Sequence, residues 1–282
     1  MSGIDVKLVN TEWLKANYDD VLILDVQPNI HDYIEEHIPN ALYMNEGLFR
    51  VPYHGRPGVY VPTKCIEGAF CRLGIEKNKK ILVYTAKGSF SKQGDGLAQT
   101  MAAYSLARFG VKEVLVLDGG FDKWKSEGKE ITKEFPDAKD SKFKAEVQKD
   151  FYLEYDEFKK VKDDEDTILL DARPPQFYID WGPWIKPGHI PGAINIPWKS
   201  LMHPENPTLL KEMDEVKSIL EKKDIGMDKK IICSCGTGRE ATNEFLLFKW
   251  YLKYPDVRIY EGSFTEWSSY PKNQTVIGDS PR

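Results

Sequence analysis

The chain is poor in cysteine, balanced in charge and without a long apolar run, and each shortage closes a class of function. Four cysteines in 282 residues (Cys65, Cys71, Cys233 and Cys235) are too few and too unevenly placed for a disulfide framework. They do not suit zinc either. Cys233 and Cys235 are separated by one residue where a zinc knuckle has two to four, and no histidine or second cysteine pair follows close by, so no metal is expected. A formal charge of −5, with acids and bases interspersed, lacks the basic surface that nucleic acid requires. No stretch of about 18 apolar residues is present to span a membrane, and residues 1–7 lack the apolar core of a secretion signal. The expectation is a cytoplasmic protein with no nucleic-acid or membrane partner.

What is present is the composition of an ordinary globular protein, 41% apolar and 29% charged, in a chain longer than one usual domain. The length predicts two domains, and an internal repeat supports it. Val21-Leu22-Ile23-Leu24-Asp25-Val26 returns as Thr167-Ile168-Leu169-Leu170-Asp171-Ala172. His37-Ile38-Pro39-Asn40-Ala41 returns as His189-Ile190-Pro191-Gly192-Ala193, and Lys80–Tyr84 as Lys230–Ser234. Leu117-Asp118-Gly119-Gly120-Phe121 through Trp124 returns as Tyr260-Glu261-Gly262-Ser263-Phe264 through Trp267. The four matches keep their order, and the drift in their spacing marks insertions in the loops.

Within each copy, short Val/Ile/Leu-rich runs alternate with segments of helical period, the pattern of a mainly parallel sheet covered by helices on both faces. This predicts an α/β fold of two tandem domains, residues 1–128 and 151–282, joined by a charged, weakly periodic linker at 129–150. One predicted helix runs through Leu97, Met101, Tyr104, Ser105 and Arg108 to a C-cap at Gly110. Its counterpart carries Glu244, Phe245, Leu247, Phe248, Tyr251 and Leu252 on one stripe.

The chemistry concentrates at residues 231–242, where an apolar strand ends in Cys-Ser-Cys-Gly-Thr-Gly-Arg and a helix is predicted to begin near Arg239. Backbone N–H groups at a helix start have no intrahelical partners, and the macrodipole adds positive potential, so a thiolate at Cys235 is expected to be favoured. The amides of Gly236, Thr237, Gly238 and Arg239 are the expected donors, with the two glycines letting the backbone curl close to the sulfur. Cys233, inside the strand, reads as a packed core side chain. The first copy has Thr85 at the matching position, so only the second copy can do thiolate chemistry. Asp171 and His189 recur as Asp25 and His37 in the copy without a nucleophile, which points to strand ends and turns rather than a catalytic base.

The order Leu-Asp-Ala-Arg, Gly-His-Ile-Pro-Gly-Ala, strand-Cys-Gly-Thr-Gly-Arg and Glu-Gly-Ser-Phe with a tryptophan resembles the two-domain rhodanese sulfurtransferases over nearly the whole chain. The resemblance implies that Cys235 takes sulfur from a small anionic donor as a persulfide and hands it to a thiophilic acceptor such as cyanide, without metal or organic cofactor. It implies a cation at the site mouth, with Arg239 first, Arg173 second and Lys186 third. Thiosulfate is the first expected donor and 3-mercaptopyruvate the second. The loop Gly-Thr-Gly-Arg-Glu begins as in mercaptopyruvate-preferring members and then departs from both groups, and Phe177 stands where the family often has an arginine. A phosphatase of related fold needs an arginine six positions after the cysteine, where Ala241 stands. A regulatory module without a nucleophile is disfavoured by Cys235, and a persulfide carrier serving a protein acceptor shares the same chemistry.

Overall fold

The Val/Ile/Leu runs form strands in the order the repeat requires. In a computed structural model, which describes residues 3–282, the first half contributes β1 (Asp5–Val9), β2 (Leu22–Asp25), β3 (Leu42–Tyr43), β4 (Arg50–Tyr53), β5 (Arg56–Tyr60), β6 (Lys80–Tyr84) and β7 (Glu113–Leu117). The second contributes β8 (Tyr152–Leu153), β9 (Thr167–Asp171), β10 (Ala193–Asn195), β11 (Met202–His203), β12 (Asn206–Leu210), β13 (Lys230–Ser234) and β14 (Asp256–Tyr260). Two five-stranded parallel sheets result among the described residues, β1-β7-β6-β2-β3 and β8-β14-β13-β9-β10, with the same topology element for element. The α/β expectation of parallel sheets packed with helices holds in both. β4–β5 and β11–β12 form small two-stranded sheets at matching places in the two halves.

Register carries the repeat to the level of single residues. Asp25 pairs with Tyr84 and Asp171 with Ser234, so each repeated aspartate ends its strand beside the residue just before the critical loop. Both sheets cover themselves with aliphatic and aromatic side chains. Leu14, Ile23, Leu82, Leu115 and Trp124 lie in one core, and Leu153, Phe158, Leu169, Ile232 and Phe264 in the other. Each such side chain contributes about 1.5–3 kcal/mol by leaving water.

The chain divides into two compact units. The first comprises the chain up to Val51, Tyr60–Gln148 and Glu205–Leu210. The second comprises Pro52–Val59, Lys149–Pro204 and Lys211–Arg282. The stretch expected as a linker lies along the first unit over most of its length. Thr132 exchanges backbone hydrogen bonds with His37, Ser141 N–H donates to Cys71 O at 2.8 Å, and Gln148 N–H donates to Arg108 O at 2.8 Å. The helix Leu97–Arg108 is buried throughout, and Gly110 adopts the left-handed φ of 102° expected of a helix stop. Among the described residues no helix is long and apolar enough to cross a membrane.

Candidate active site

Strand β13 delivers Cys235, and the six residues 235–240 turn the chain into the helix Ala241–Leu246, which continues through a π-helical turn to Tyr251. The helix starts two residues later than the sequence suggests, because Arg239 and Glu240 belong to the loop that wraps the sulfur. Gly238 N–H donates to Cys235 Sγ at 3.1 Å, and the amides of Thr237 and Ala241 also hydrogen-bond to it. Gly238 makes this possible with φ 82°, and a Cβ there would lie 2.8 Å from the carbonyl oxygen of Glu261.

The start of the helix Ser263–Ser269 clamps the same loop. Phe264 N–H donates to Cys235 O at 2.9 Å, Thr265 N–H to Gly236 O at 3.0 Å, and Thr265 Oγ1 also donates to Gly236 O at 2.7 Å. Ser263, at a left-handed φ of 50°, accepts the Cys235 N–H at 3.1 Å, and its hydroxyl lies 4.0 Å from the sulfur. Gly236 leaves room for Trp184: a Cβ would fall 2.5 Å from the indole, whose Nε1 donates to Thr265 Oγ1 at 2.7 Å. Ser263 and Trp184 escape a reading of the sequence around Cys235 alone. The Glu-Gly-Ser-Phe repeat is the signal that could have found Ser263. Nothing local announces Trp184.

Three expectations change. The amide cradle forms, yet the Cys235 thiol is fully buried and pushed well above its ordinary pKa, first by burial and then by the neighbouring Glu240 carboxylate, against the pull of the Ala241 and Thr237 amides. Arg173 does not reach a mouth: it is fully buried, with Nε and Nη2 forking onto Asp171 at 2.6–3.0 Å, Nη2 donating also to Gly188 O, and the guanidinium lying over Phe264 and Trp184. Lys186 is spent on the carbonyls of Tyr270, Pro271 and Asn273. Arg239 is half-buried on the loop itself, beside Thr237.

His189 is buried between two carbonyls, Nδ1 against Tyr178 O at 2.9 Å and Nε2 against Ser280 O at 3.1 Å, and stacks on Tyr178. Burial lowers its pKa. His37 repeats this arrangement with Tyr33 and Glu134, which supports the structural reading of both. Cys233 is a fully buried strand residue with its thiol also pushed up by burial. Behind it Glu244 is fully buried with both carboxyl oxygens unpartnered, and burial pushes its pKa well up.

Comparison with known proteins places the arrangement. The model of the rhodanese-like domain matches twice, over residues 10–127 and 154–270. A putative thiosulfate sulfurtransferase of Synechococcus elongatus is 36% identical over 279 residues, covering 95% of this chain and 84% of its own. The sulfur carrier protein TtuD of Thermus thermophilus is 28% identical, covering 93% of each. The crystal structure of SseA from Escherichia coli, described as a 3-mercaptopyruvate sulfotransferase, superposes with a TM-score of 0.80 at 25% identity, covering 92% of this chain and 99% of that one. The chain thus belongs to the rhodanese-like domain family in its tandem form, and it is a sulfurtransferase.

Proposed function

We propose that Cys235 removes the outer sulfur of a small anionic donor, holds it as a persulfide and passes it to a thiophilic acceptor. The observation that carries this reading is the convergence of the Thr237, Gly238 and Ala241 amides on a cysteine sulfur at the end of β13. Donors so placed stabilise the negative charge that develops on sulfur as the S–S bond forms. Gly236 and Gly238 supply the backbone room, Thr237 an amide, and Arg239 a cation on the loop for the donor's sulfonate or carboxylate. The covalent route needs neither metal nor organic cofactor. Arg173 contributes indirectly, by holding the end of β9 through Asp171. Residues 1–128, with Thr85 at the cysteine's position, form the inactive domain, and residues 151–282 the catalytic one. All four cysteines are free, which suits a reducing compartment such as the cytoplasm.

Thiosulfate is the first-choice donor, in keeping with the putative thiosulfate sulfurtransferase to which the chain is similar. The alternative is 3-mercaptopyruvate, favoured by the Gly-Thr-Gly start of the loop. Steady-state rates with both donors and cyanide as acceptor decide between them. Cys235→Ser is expected to abolish transfer with the fold retained, and Cys233→Ser to keep much of it. Equal loss in both variants would refute the assignment of the nucleophile.

A further inference from the structure

Each half lends part of its small hairpin to the other unit: Pro52–Val59 belongs with the second unit and Glu205–Leu210 with the first. The returning strands are both five residues long and match position for position. Arg56-Pro57-Gly58-Val59-Tyr60 stands against Asn206-Pro207-Thr208-Leu209-Leu210, at the same spacing as Lys80–Tyr84 against Lys230–Ser234. In the first unit this strand closes the turn that follows β7. Asn206 Nδ2 donates to Gly119 O at 2.9 Å, and Gly119 N–H donates to Thr208 O at 3.0 Å. The Thr208 side chain fills the space beside Gly120, where a Cβ would lie 2.9 Å from its hydroxyl. Gly119-Gly120 is the turn repeated as Gly262-Ser263, and Ser263 accepts the Cys235 N–H.

At the second turn the matching strand brings different chemistry. Gly58 stands in the place of Thr208 and has no side chain to fill that space. Arg56 stands in the place of Asn206, and its Nη1 donates to Glu266 Oε1 at 2.9 Å. The Glu266 side chain is only 6% exposed, and its Oε2 rests on the turn itself, 1.8 Å from where a Cβ on Gly262 would fall. The carboxylate thus fixes a guanidinium beside the residue that precedes Ser263, whose hydroxyl lies 4.0 Å from the Cys235 sulfur. Nε and Nη2 of Arg56 have no partner among the described residues, and the side chain is 37% exposed. Arg173 and Lys186, by contrast, are committed to the fold.

We propose that Arg56 is a donor-binding residue supplied by the half without a nucleophile. Its Nε–Nη2 edge, held by Glu266, receives the sulfonate of thiosulfate or the carboxylate of 3-mercaptopyruvate, alongside Arg239. This rests on the persulfide reading above and adds a specificity residue to it. The guanidinium edge offers two parallel N–H groups to an oxyanion, and a carboxylate behind it keeps the fork from turning away. Gly58 leaves the room for that anion, which Thr208 occupies in the first unit.

The test is steady-state and single-turnover kinetics of the full chain and of Arg56→Gln, Arg56→Lys and the double variant Arg56→Gln/Glu266→Gln, with thiosulfate, 3-mercaptopyruvate and cyanide. Arg56→Gln should raise the KM for either donor roughly 10–100-fold. Persulfide formation at saturating donor should stay near the rate of the unsubstituted chain, and discharge of the persulfide to cyanide should be unchanged. Arg56→Lys should fall between, because the charge stays and the fork is lost. The double variant removes the carboxylate that Arg56→Gln leaves buried without its partner, so it should recover thermal stability while the KM stays high. An unchanged KM in Arg56→Gln, or a KM that recovers together with stability in the double variant, would show that Arg56 only secures the helix Ser263–Ser269 and would overturn the donor-binding role alone. If the unsubstituted chain gains no mass of about 32 Da on Cys235 from either donor, the persulfide reading falls and this role with it.

Discussion

The two copies share a sheet topology, an aspartate at the end of one central strand and a histidine held between carbonyls, and they differ where β6 and β13 release the chain. After β13, six residues (235–240) curl around a sulfur with three amides aimed at it. After β6, twelve residues (85–96) fold onto themselves. A Cβ on Gly94 would strike Ala86 O at 1.7 Å, and Asp32 captures the amides of Phe90 and Ser91 at 2.8 and 2.9 Å. Thr85 has its amide on Gln99 and its hydroxyl buried without a hydrogen-bond partner. The helix that follows β7 keeps the clamp, Phe121 N–H donating to Thr85 O at 3.0 Å as Phe264 does to Cys235 O. Yet the residue before it is Gly120 at φ 58°, where the second copy has Ser263 at φ 50°. Glycine takes that conformation freely. Serine there is strained by about 1 kcal/mol, and in return sets a hydroxyl beside the Cys235 sulfur. The scaffold is thus independent of the chemistry, which depends on loop length and a few side chains.

The sharpest attempt to break that contrast is to move the nucleophile. Thr85→Cys in a Cys235→Ser background should give no detectable persulfide with either donor, because the first loop presents no converging amides to a sulfur at residue 85. Intact-protein mass after donor treatment measures it. Sulfur gained at residue 85 would show that the scaffold alone suffices and that the loop difference is incidental.

The sheets, the repeat and the glycine-flanked cysteine at the end of β13 are legible in the sequence because they rest on local pattern: β-branched runs, an Asp at a strand end, glycines flanking a thiol. The burial of Cys235 is not. A helix start argues for a thiolate, but the sulfur is fully buried, and burial, followed by the neighbouring Glu240 charge, pushes its pKa up. Arg173 escapes for a related reason. A cation two residues past a strand-end aspartate reads equally as a substrate ligand or a buried partner, and only packing against Phe264 and Trp184 decides. Trp184 lies in a segment with no periodicity and no counterpart in the first copy, so no spacing rule could bring it to Gly236.

The two aspartates sharpen the comparison energetically. Asp171 holds the Arg173 guanidinium with both fully buried, so Asp171→Asn leaves an uncompensated charge in the core and should cost about 3–5 kcal/mol in denaturant unfolding. A loss below about 1 kcal/mol would mean that Gly188 O and the aromatic faces suffice to hold the cation.

At the matching place the first copy has Gln27 instead of the arginine. Asp25 accepts from Gln27 N–H at 2.9 Å and Gln27 Nε2 at 3.0 Å, and burial, opposed by those bonds and by one to Tyr84, raises its pKa to about 6. An unfolded aspartate titrates near 3.9, so the folded state favours the protonated form. The stability this provides is complete below about pH 4 and is lost as pH rises through about 6, leaving a penalty of roughly 3 kcal/mol at neutral pH. Asn cannot ionise, so Asp25→Asn should stabilise the protein by roughly that amount at pH 7.5 and by nearly nothing at pH 4. The same substitution is then expected to act with opposite sign at the two repeat-related positions. Urea midpoints at the two pH values measure it, and a difference independent of pH would show that Asp25 stays ionised in the fold and that its copy has another source of compensating charge.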